Sequence, residues 1–249
     1  MRRSTHSPDP SPHSGGPPGI ELNPIWNAVV HEPTTGVAIV SQDGVTVWAN
    51  PQAVRIFHGP ECTPDMIIGR PWTEFFPPEW IAERLALLRR IQETHQPILL
   101  RTIWRGFQHI SWVHPIPADE QDGLGHEPLP PRFLVITRRV EGDVFELAGK
   151  GSMADVRESD VVNLGPLDVL SPRELEILAL IGQGMSIKEI ASILGRSVKT
   201  IENHRTSIGD KLKVDDRVHL AEIARRAGLT VLDAERRRVD ADRDERNRE

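Results

Sequence analysis

The sequence predicts an α+β chain in which an antiparallel sheet domain is followed by an all-α domain of four helices. Between residues 36 and 140, short β-rich segments alternate with segments of helical pattern. Between residues 170 and 229, apolar residues recur at helical spacing, and Ser, Pro and Gly residues mark the helix ends. This shift in texture along 249 residues indicates two domains with tails at either end.

The N-terminal arm, residues 1–23, holds many Pro, Ser, Gly and His residues and no apolar run, so we expect it to be disordered. Arg2 and Arg3 precede no hydrophobic segment, which argues against a secretory signal. No stretch approaches the roughly 18 apolar residues of a transmembrane helix. The single cysteine, Cys62, excludes an intrachain disulfide framework and suits a reducing compartment. We therefore expect a cytoplasmic protein that does not contact a membrane.

Residues 24–140 predict the sheet domain. Two strands, residues 36–40 and 45–48, flank the turn Ser41-Gln42-Asp43-Gly44 and form a hairpin. Asn50-Pro51 then opens a short helix, with Asn as the cap and Pro at the first position. The later elements are a helix over 80–92 and strands over 98–104, 108–113 and 132–140.

Residues 166–230 predict the helical domain, which a linker over 141–165 joins to the sheet domain and a charged tail over 231–249 follows. Ser171, Ser186 and Ser197 each start a helix, and Glu174 completes a capping box with Ser171. The second and third helices are joined by the tight link Gly195-Arg196, which is the geometry of a helix-turn-helix.

The third helix separates an apolar side from a polar one when it is projected at about 100° per residue. Val198, Ile201, Ile208 and Leu212 share the packed side. Lys199, Asn203 and Thr206 share the opposite side, with Glu202 and Ser207 flanking them. Asn can pair with adenine, Glu can accept from cytosine, and Lys can reach guanine or phosphate. The alternative is the solvated face of an ordinary helical domain.

The same segment resembles the LuxR-type (GerE-like) helix-turn-helix of bacterial transcription regulators over about sixty residues without a gap. The matching residues are Leu170-Ser171-Pro172-Arg173-Glu174, Gly184, Lys188-Glu189-Ile190-Ala191, Ser197-Val198-Lys199-Thr200-Ile201, His204, Ile208, Lys211-Leu212 and Arg217. The resemblance implies that the third helix enters the major groove and that the fourth helix mediates dimerisation.

Carried over by position, the resemblance implies base contacts for three residues and phosphate contacts for seven. The base-facing residues are Glu202, Asn203 and Thr206. The phosphate or positioning residues are Lys188, Ser197, Lys199, Thr200, His204, Arg205 and Lys211. His204 has an equally good interpretation as a structural histidine at the edge of the packed side. Family members often have Lys where this chain has Glu202, so the preferred DNA sequence stays open.

The charge of the helical domain bears on the same function. Residues 165–231 hold ten basic and nine acidic residues, a net charge of +1, and the whole chain has a net charge of −6. Phosphate neutralisation supplies most non-specific affinity for DNA, so a monomer would bind weakly. We therefore expect a homodimer on two half-sites about one helical turn apart.

The element order of the first domain resembles that of a PAS domain, and short phrases agree. Val45-Thr46-Val47-Trp48-Ala49-Asn50 is similar to that family's strand before the first helix. Ile67-Ile68-Gly69-Arg70-Pro71 and the following Phe76-Pro77 are similar to its turn and its entry into the long helix. The resemblance implies a domain that senses a signal or mediates dimerisation. It does not identify the signal.

Cofactor signals in the sheet domain are weak. Cys62 lies in His58-Gly59-Pro60-Glu61-Cys62-Thr63-Pro64 and not in a photoactive flavin motif. His58, His95 and His109 are isolated candidates for a haem ligand, and Gly59-Pro60 breaks the helix that a His58/Cys62 metal pair would need. The sequence therefore predicts no metal, flavin or haem. Trp48, Trp104 and Trp112 are candidates for lining a ligand cavity, although core or dimer-interface packing fits them better.

No enzyme class is indicated by the motifs. The chain lacks a Gly-x-Ser-x-Gly elbow, a glycine-rich phosphate loop and a His-Glu-x-x-His motif. The sequence thus predicts a DNA-binding transcription regulator rather than an enzyme, with double-stranded DNA and a second copy of the chain as partners. The alternative is a PAS adaptor whose helical domain docks on RNA polymerase or on a partner regulator.

Overall fold

The computed structural model of the chain describes residues 24–117, 130–142 and 155–240. The expectation of a disordered arm over 1–23 therefore lies outside the described residues, as do most of the loop after residue 117, part of the expected linker and the end of the tail.

The N-terminal domain is built on an antiparallel sheet with helices on its inner face. Its strands are β1 (Thr35–Ser41), β2 (Thr46–Ala49), β3 (Ile98–Trp104), β4 (Phe107–Pro115) and β5 (Arg132–Arg139). Its helices are α1 (Pro24–Val30), α2 (Pro51–His58), α3 (Pro78–Thr94) and two 3₁₀ turns, Pro64–Met66 and Trp72–Glu74. The predicted hairpin, the predicted long helix and all three later strands are confirmed to within a few residues.

Asn50 organises the start of α2 as the sequence predicts. Its side-chain oxygen accepts from the Ala53 amide at 2.8 Å and from the Val37 amide at 3.0 Å. Its amide nitrogen donates to the carbonyls of Val30 and Thr35, each at 2.9 Å. One buried side chain therefore caps α2 and also fastens α1 and β1 to it.

The sheet order is β2-β1-β5-β4-β3-β6, where β6 (Asp155–Glu158) adds a parallel edge strand beside β3. Because side chains alternate along a strand, β3 turns Ile98, Leu100, Thr102 and Trp104 towards the helices of its own domain. Arg101 and Ile103 then point to the opposite face, where Ile103 joins the hydrophobic core of the helical domain.

The helical domain contains four α-helices, as predicted. They are α4 (Pro172–Gly182), α5 (Ile187–Ile193), α6 (Val198–Leu212) and α7 (Arg217–Ala227), preceded by a 3₁₀ turn, Gly165–Val169. Ser171 and Ser186 each form a complete capping box, with Glu174 and Glu189 respectively, and Ser197 accepts from the Thr200 amide. Each of the three predicted helix starts is therefore confirmed together with its cap.

The expected linker and tail both contain regular structure. The strands β6 and β7 (Val161–Val162) lie within 141–165, and a 3₁₀ turn (Val231–Glu235) and strand β8 (Arg237–Arg238) lie within 231–249. β7 and β8 pair in parallel. These segments carry few apolar residues in a regular period, and their order comes from contacts between the two domains, which sequence periodicity does not report.

Candidate nucleic-acid interface

The exposed side of α6 carries the stripe that the sequence predicts. Glu202, Asn203 and Thr206 are exposed, as is Lys199 one turn earlier. Ile201 and Ile208, on the other side, are fully buried in the helical core. The helix is thus fixed by its apolar side and leaves a polar surface about two turns long for a partner.

Three of the stripe residues, Lys199, Glu202 and Thr206, have contacts within the helix. The Lys199 ammonium lies 3.7 Å from the Glu202 carboxylate, and both side chains are more than half exposed. The Thr206 hydroxyl donates to the carbonyl of Glu202 at 3.1 Å. An exposed pair of this kind is worth little, so either side chain can exchange it for a DNA contact at small cost. Asn203 is exposed, and its amide carries both donor and acceptor groups.

Of the seven candidate phosphate contacts, Lys199 lies on the stripe and the other six fall into two groups. Lys188 and Ser197 are exposed, and Thr200 lies in the first turn of α6, where the Ser197 hydroxyl contacts it at 2.8 Å. The N-terminus of α6 therefore presents hydroxyls and backbone amides, a suitable arrangement for an anion. By contrast, Lys211 and Arg205 already bind groups of their own domain, and His204 is half-buried.

Glu174 fixes the angle between α4 and α6. Its carboxylate accepts from Lys211 Nζ at 2.6 Å, from the Ser207 hydroxyl at 2.8 Å and from the Ser171 amide at 2.7 Å. Burial opposes ionisation of Glu174, but these hydrogen bonds outweigh it and lower its pKa to about 2. The contact between Lys211 and Glu174 thereby braces α6 against α4. The sequence does not predict this contact.

Two residues of α6 are oriented differently from the prediction. Ser207, expected to flank the exposed stripe, turns inwards to Glu174. Val198, expected on the packed side, is 39% exposed, and Ile193 at the end of α5 is 57% exposed. The helical projection places Ser207 near the boundary between the two sides, so a single strong acceptor is enough to draw it inwards.

The N-terminal domain encloses a cavity of about 80 Å³ between its sheet and its helices. Its wall is mainly apolar and aromatic. Phe57, Trp72, Phe76, Trp80, Leu87, Leu88, Leu100 and Val113 contribute to it, together with the polar residues Thr46, His58, Arg84 and Ser111. Trp80 Nε1 is buried and has no hydrogen-bond partner among the described residues. A buried donor of this kind is costly to leave unsatisfied and marks a position where an acceptor can bind.

None of Trp48, Trp104 and Trp112, the candidates from the sequence, lines this cavity. Trp104 is buried beside it and donates its Nε1 to the Phe57 carbonyl at 3.0 Å. Trp48 pairs with Ile39 on the outer side of the sheet, and Trp112 is 40% exposed there. Trp72 and Trp80, which do line the cavity, lie in a short 3₁₀ turn and a helix, where strand alternation could not identify them.

Two histidines lie on the inner side of the domain. Burial, and then the charge of Arg105, lowers the pKa of His58 to about 4. Burial, and then the charge of Arg139, lowers the pKa of His109 to about 3, although the Phe107 carbonyl opposes this shift. Neither His109 nitrogen makes a well-formed hydrogen bond among the described residues. Both rings are therefore neutral near pH 7. His95, at the left-handed C-terminal end of α3, is far less enclosed.

The described residues contain neither a candidate metal site nor a helix suited to a membrane. No cluster of three or more His, Cys, Asp or Glu side chains there could hold a metal ion. None of the helices in the same ranges combines the length and apolar character needed to cross a bilayer.

The sequence profile of the family described as "Bacterial regulatory proteins, luxR family" matches residues 168–224, which span α4, α5, α6 and most of α7. Residues 168–224 form a LuxR-family helix-turn-helix domain. The oxygen regulatory protein NreC of Staphylococcus haemolyticus is 48% identical over 65 residues, which are 26% of this chain and 30% of that protein. NreC of Staphylococcus carnosus is 51% identical over 59 residues, 24% and 27% of the two chains.

The chain thus spans less than a third of the length of these curated relatives, within the LuxR-family domain. Among solved structures, a VqmA–ligand–DNA complex from Vibrio cholerae is 17% identical, covers 84% of this chain and 91% of that chain, and has a TM-score of 0.45. The PAS domain of nitrogen regulation protein NR(II) from Vibrio parahaemolyticus is 15% identical over 48% of this chain and all of that one, with a TM-score of 0.32. At these scores, the PAS-like assignment of the first domain is carried by its element order and sheet topology.

Proposed function

We propose that this chain is a sequence-specific transcription regulator that works in the cytoplasm as a homodimer. The observation that carries the proposal is the exposed stripe on α6, in a LuxR-family domain whose recognition helix is braced by Glu174 and Lys211. Glu202, Asn203 and Thr206 face the bases in this proposal. Lys188, Ser197, Lys199 and Thr200 contact phosphates, and His204, Arg205 and Lys211 position the helix.

The test of base reading is a comparison between two residues of the same stripe. Asn203→Ala is expected to cost about 1–3 kcal/mol at the preferred site and to relax the choice of base at one position, because its amide pairs with a base edge. Lys199→Met is expected to weaken binding to all sequences alike and to reduce the salt dependence.

The experiment is selection from a random-DNA pool at two salt concentrations, followed by binding measurements on the enriched and scrambled duplexes. Arg89→Met, which removes a positive charge from the exposed surface of α3, is the matched control for Lys199→Met. If Asn203→Ala and Lys199→Met weaken every duplex equally, Asn203 does not read a base. If no sequence is enriched and binding is weak even at low salt, the DNA-binding proposal fails.

The PAS-like domain, in this proposal, senses a small and mainly apolar molecule. A cavity of about 80 Å³ is far smaller than the roughly 300–1,000 Å³ of pockets that hold drug-sized ligands, so it takes only a small ligand unless its walls move. Trp80 Nε1 is the buried donor that such a ligand would satisfy with an acceptor oxygen or nitrogen. The test is a titration with small alcohols and ketones, followed by tryptophan fluorescence and by the melting temperature. If the Trp80→Phe protein responds as the wild type does, Trp80 Nε1 does not bind the ligand.

One observation favours docking on a protein as a second function of the helical domain. Ile193 and Val198 form an exposed apolar patch on either side of the turn between α5 and α6, and the domain is nearly neutral. RNA polymerase is the partner that a DNA-bound regulator would meet there. Ile193→Ser is expected to leave DNA affinity unchanged and to reduce activated transcription in a purified system; unchanged transcription would remove this second function.

A further inference from the structure

The segment that follows α7 returns to the PAS-like domain and binds it. We refer to residues 230–239 as the C-terminal strap. Its strand β8 pairs with β7, the Val239 amide donates to the Val162 carbonyl at 2.9 Å, and the Asn163 amide donates to the Val239 carbonyl at 2.8 Å. The Val239 side chain packs in the hydrophobic core of the PAS-like domain. The strap therefore spans from the end of the LuxR-family domain to the core of the other domain.

A buried ion pair joins the strap to the sheet. Arg101, on the outer face of β3, donates to both carboxylate oxygens of Asp233, at 3.1 and 3.0 Å. The exposed fractions of these side chains are 2% and 0%. Asp233 also accepts from the Thr230 amide at 2.7 Å and from Arg236 at 3.2 Å. Two-point binding fixes direction as well as distance, so this pair holds the strap in one orientation on the sheet.

The end of α7 is fixed to the same arginine. Arg101 donates to the carbonyl of Gly228, and its Nε donates to the Gln108 side chain at 2.6 Å. Gly228 has a φ of +57°, and a Cβ atom at this position would lie 2.2 Å from the Gln108 side chain. An added methyl group here would therefore have to displace the Gln108 amide, which is buried and held by Arg101 and by the Gly142 carbonyl.

The reading face of α6 is not covered by these contacts. Lys199, Asn203 and Thr206 remain exposed, and no hydrogen bond or ion pair among the described residues joins the strap to α6. The strap therefore determines how the LuxR-family domain is oriented on the sheet, and it leaves the DNA-facing surface accessible.

One residue step along β3 separates the cavity from the ion pair. Leu100 lines the cavity, Arg101 holds the strap, and Thr102 returns to the inner side, where Arg84 of the cavity wall donates to it at 3.3 Å. A change in the cavity that moves β3 must therefore move Arg101.

We propose that the strap and its Arg101–Asp233 pair form a rigid coupler, which transmits the state of the sensor sheet to the LuxR-family domain. In a dimer, this coupler sets the separation of the two reading helices and hence the half-site spacing that the protein prefers. The expected effect on the half-site spacing rests on the proposed function, whereas the distance between the two domains can be measured without DNA.

The first experiment measures the distance between the two domains. Spin labels replace the exposed residues Arg89 and Ser192 in a Cys62→Ser protein, and one labelled copy is diluted with unlabelled protein so that distances within one chain dominate. The labelled protein with Asp233 and Gly228 unchanged is expected to give one narrow distribution of distances between the two labels. Asp233→Asn removes the charge with little change of shape and is expected to broaden the distribution.

Gly228→Ala tests the coupler without changing a charge. Its matched control is Gly195→Ala, because Gly195 has a similar φ of +60° and open space around it, so both changes carry the same backbone strain and only one disturbs Gln108. Asp168→Asn is the control for Asp233→Asn, since the Asp168 pair with Arg238 also involves the strap but is exposed. Both controls are expected to keep the narrow distance.

The second experiment measures binding to one half-site and to pairs of half-sites with different spacers. Asp233→Asn is expected to bind a single half-site like the wild type and to lose a spacer preference of about tenfold or more. Narrow distances in both Asp233→Asn and Gly228→Ala, or a retained spacer preference, would overturn the coupler. Failure of the wild type to bind any duplex would instead reject the proposed function, and the distances alone would then decide on the coupler.

Discussion

The two domains have hydrophobic cores of different kinds. The core of the LuxR-family domain is aliphatic and closed, with Ile177, Leu178, Ile190 and Ile208 at 0% exposure. The core of the PAS-like domain is rich in aromatic rings, including a stacked Phe76–Trp80 pair with centroids 4.0 Å apart. It contains the cavity and the Trp80 indole nitrogen, which has no hydrogen-bond partner in the described parts of the chain. The LuxR-family domain is therefore closely packed, whereas the PAS-like domain retains unfilled space inside its core.

The largest expected effect comes from making the same substitution in both cores. Leu178→Ala should destabilise the LuxR-family domain by about 2–5 kcal/mol, because a new cavity opens in a fully packed site. Leu87→Ala, beside the existing cavity, should lie at the lower end of that range, since part of its contact surface is already missing. Urea unfolding followed by circular dichroism gives both values, and equal losses would remove the contrast between the cores.

A smaller effect on stability is expected at the contact between Glu174 and Lys211, which braces α6. Glu174→Gln keeps the shape of the side chain but removes its charge, so the bond from Lys211 weakens and the domain should lose about 1–3 kcal/mol. Glu176→Gln, two positions later on α4 at a half-buried site where Glu176 pairs with Arg173, serves as the control and should lose less than about 1 kcal/mol. If the two variants melt at the same temperature, Glu174 does not brace α6.

The two domains should also differ in their response to acid. The pKa values of His58 and His109 are lowered to about 4 and about 3, so the unfolded chain binds more protons than the folded one below about pH 6.5. The PAS-like domain should therefore lose stability as the pH falls from 6.5 towards 4. Glu174, whose pKa is lowered to about 2, contributes stability that is present above about pH 4.5 and lost as the pH falls towards 2.

Nuclear magnetic resonance spectra recorded between pH 7 and 4 can follow the two domains separately. Signals of the PAS-like domain should disappear first. Loss of the LuxR-family signals at a higher pH than those of the sheet would contradict the assigned order.

The smallest expected effect on stability concerns His109, in the core of the PAS-like domain. His109→Leu should stabilise the PAS-like domain by about 1 kcal/mol, because it replaces a buried ring that has no well-formed hydrogen bond to any described residue with an aliphatic side chain of similar size. His114→Leu, at a half-buried position of the same strand, should change stability by less than about 0.5 kcal/mol. A destabilised His109→Leu protein would indicate that His109 has a partner that the contacts above do not include.

The LuxR-family domain could be predicted almost residue by residue. Ser171, Ser186 and Ser197 mark helix starts through local hydrogen bonds, and local rules are legible in the sequence. The strands of the PAS-like domain were equally accessible through their alternation. The cavity wall and the strap were not, because Trp80, Arg101 and Asp233 gain their roles from contacts with residues far away in the chain. Arg101 in particular is a charged residue within a buried strand, and its neighbours in the sequence do not predict that Asp233 is its partner.

The position of Val239 has a consequence for how the protein is made. Its side chain belongs to a core whose other members begin near residue 40, so the sheet domain, although translated first, completes its packing last. The helices of the LuxR-family domain depend on short-range contacts and can form as soon as they leave the ribosome. The nascent chain therefore passes through a stage in which the four helices have formed while the core of the PAS-like domain still lacks Val239.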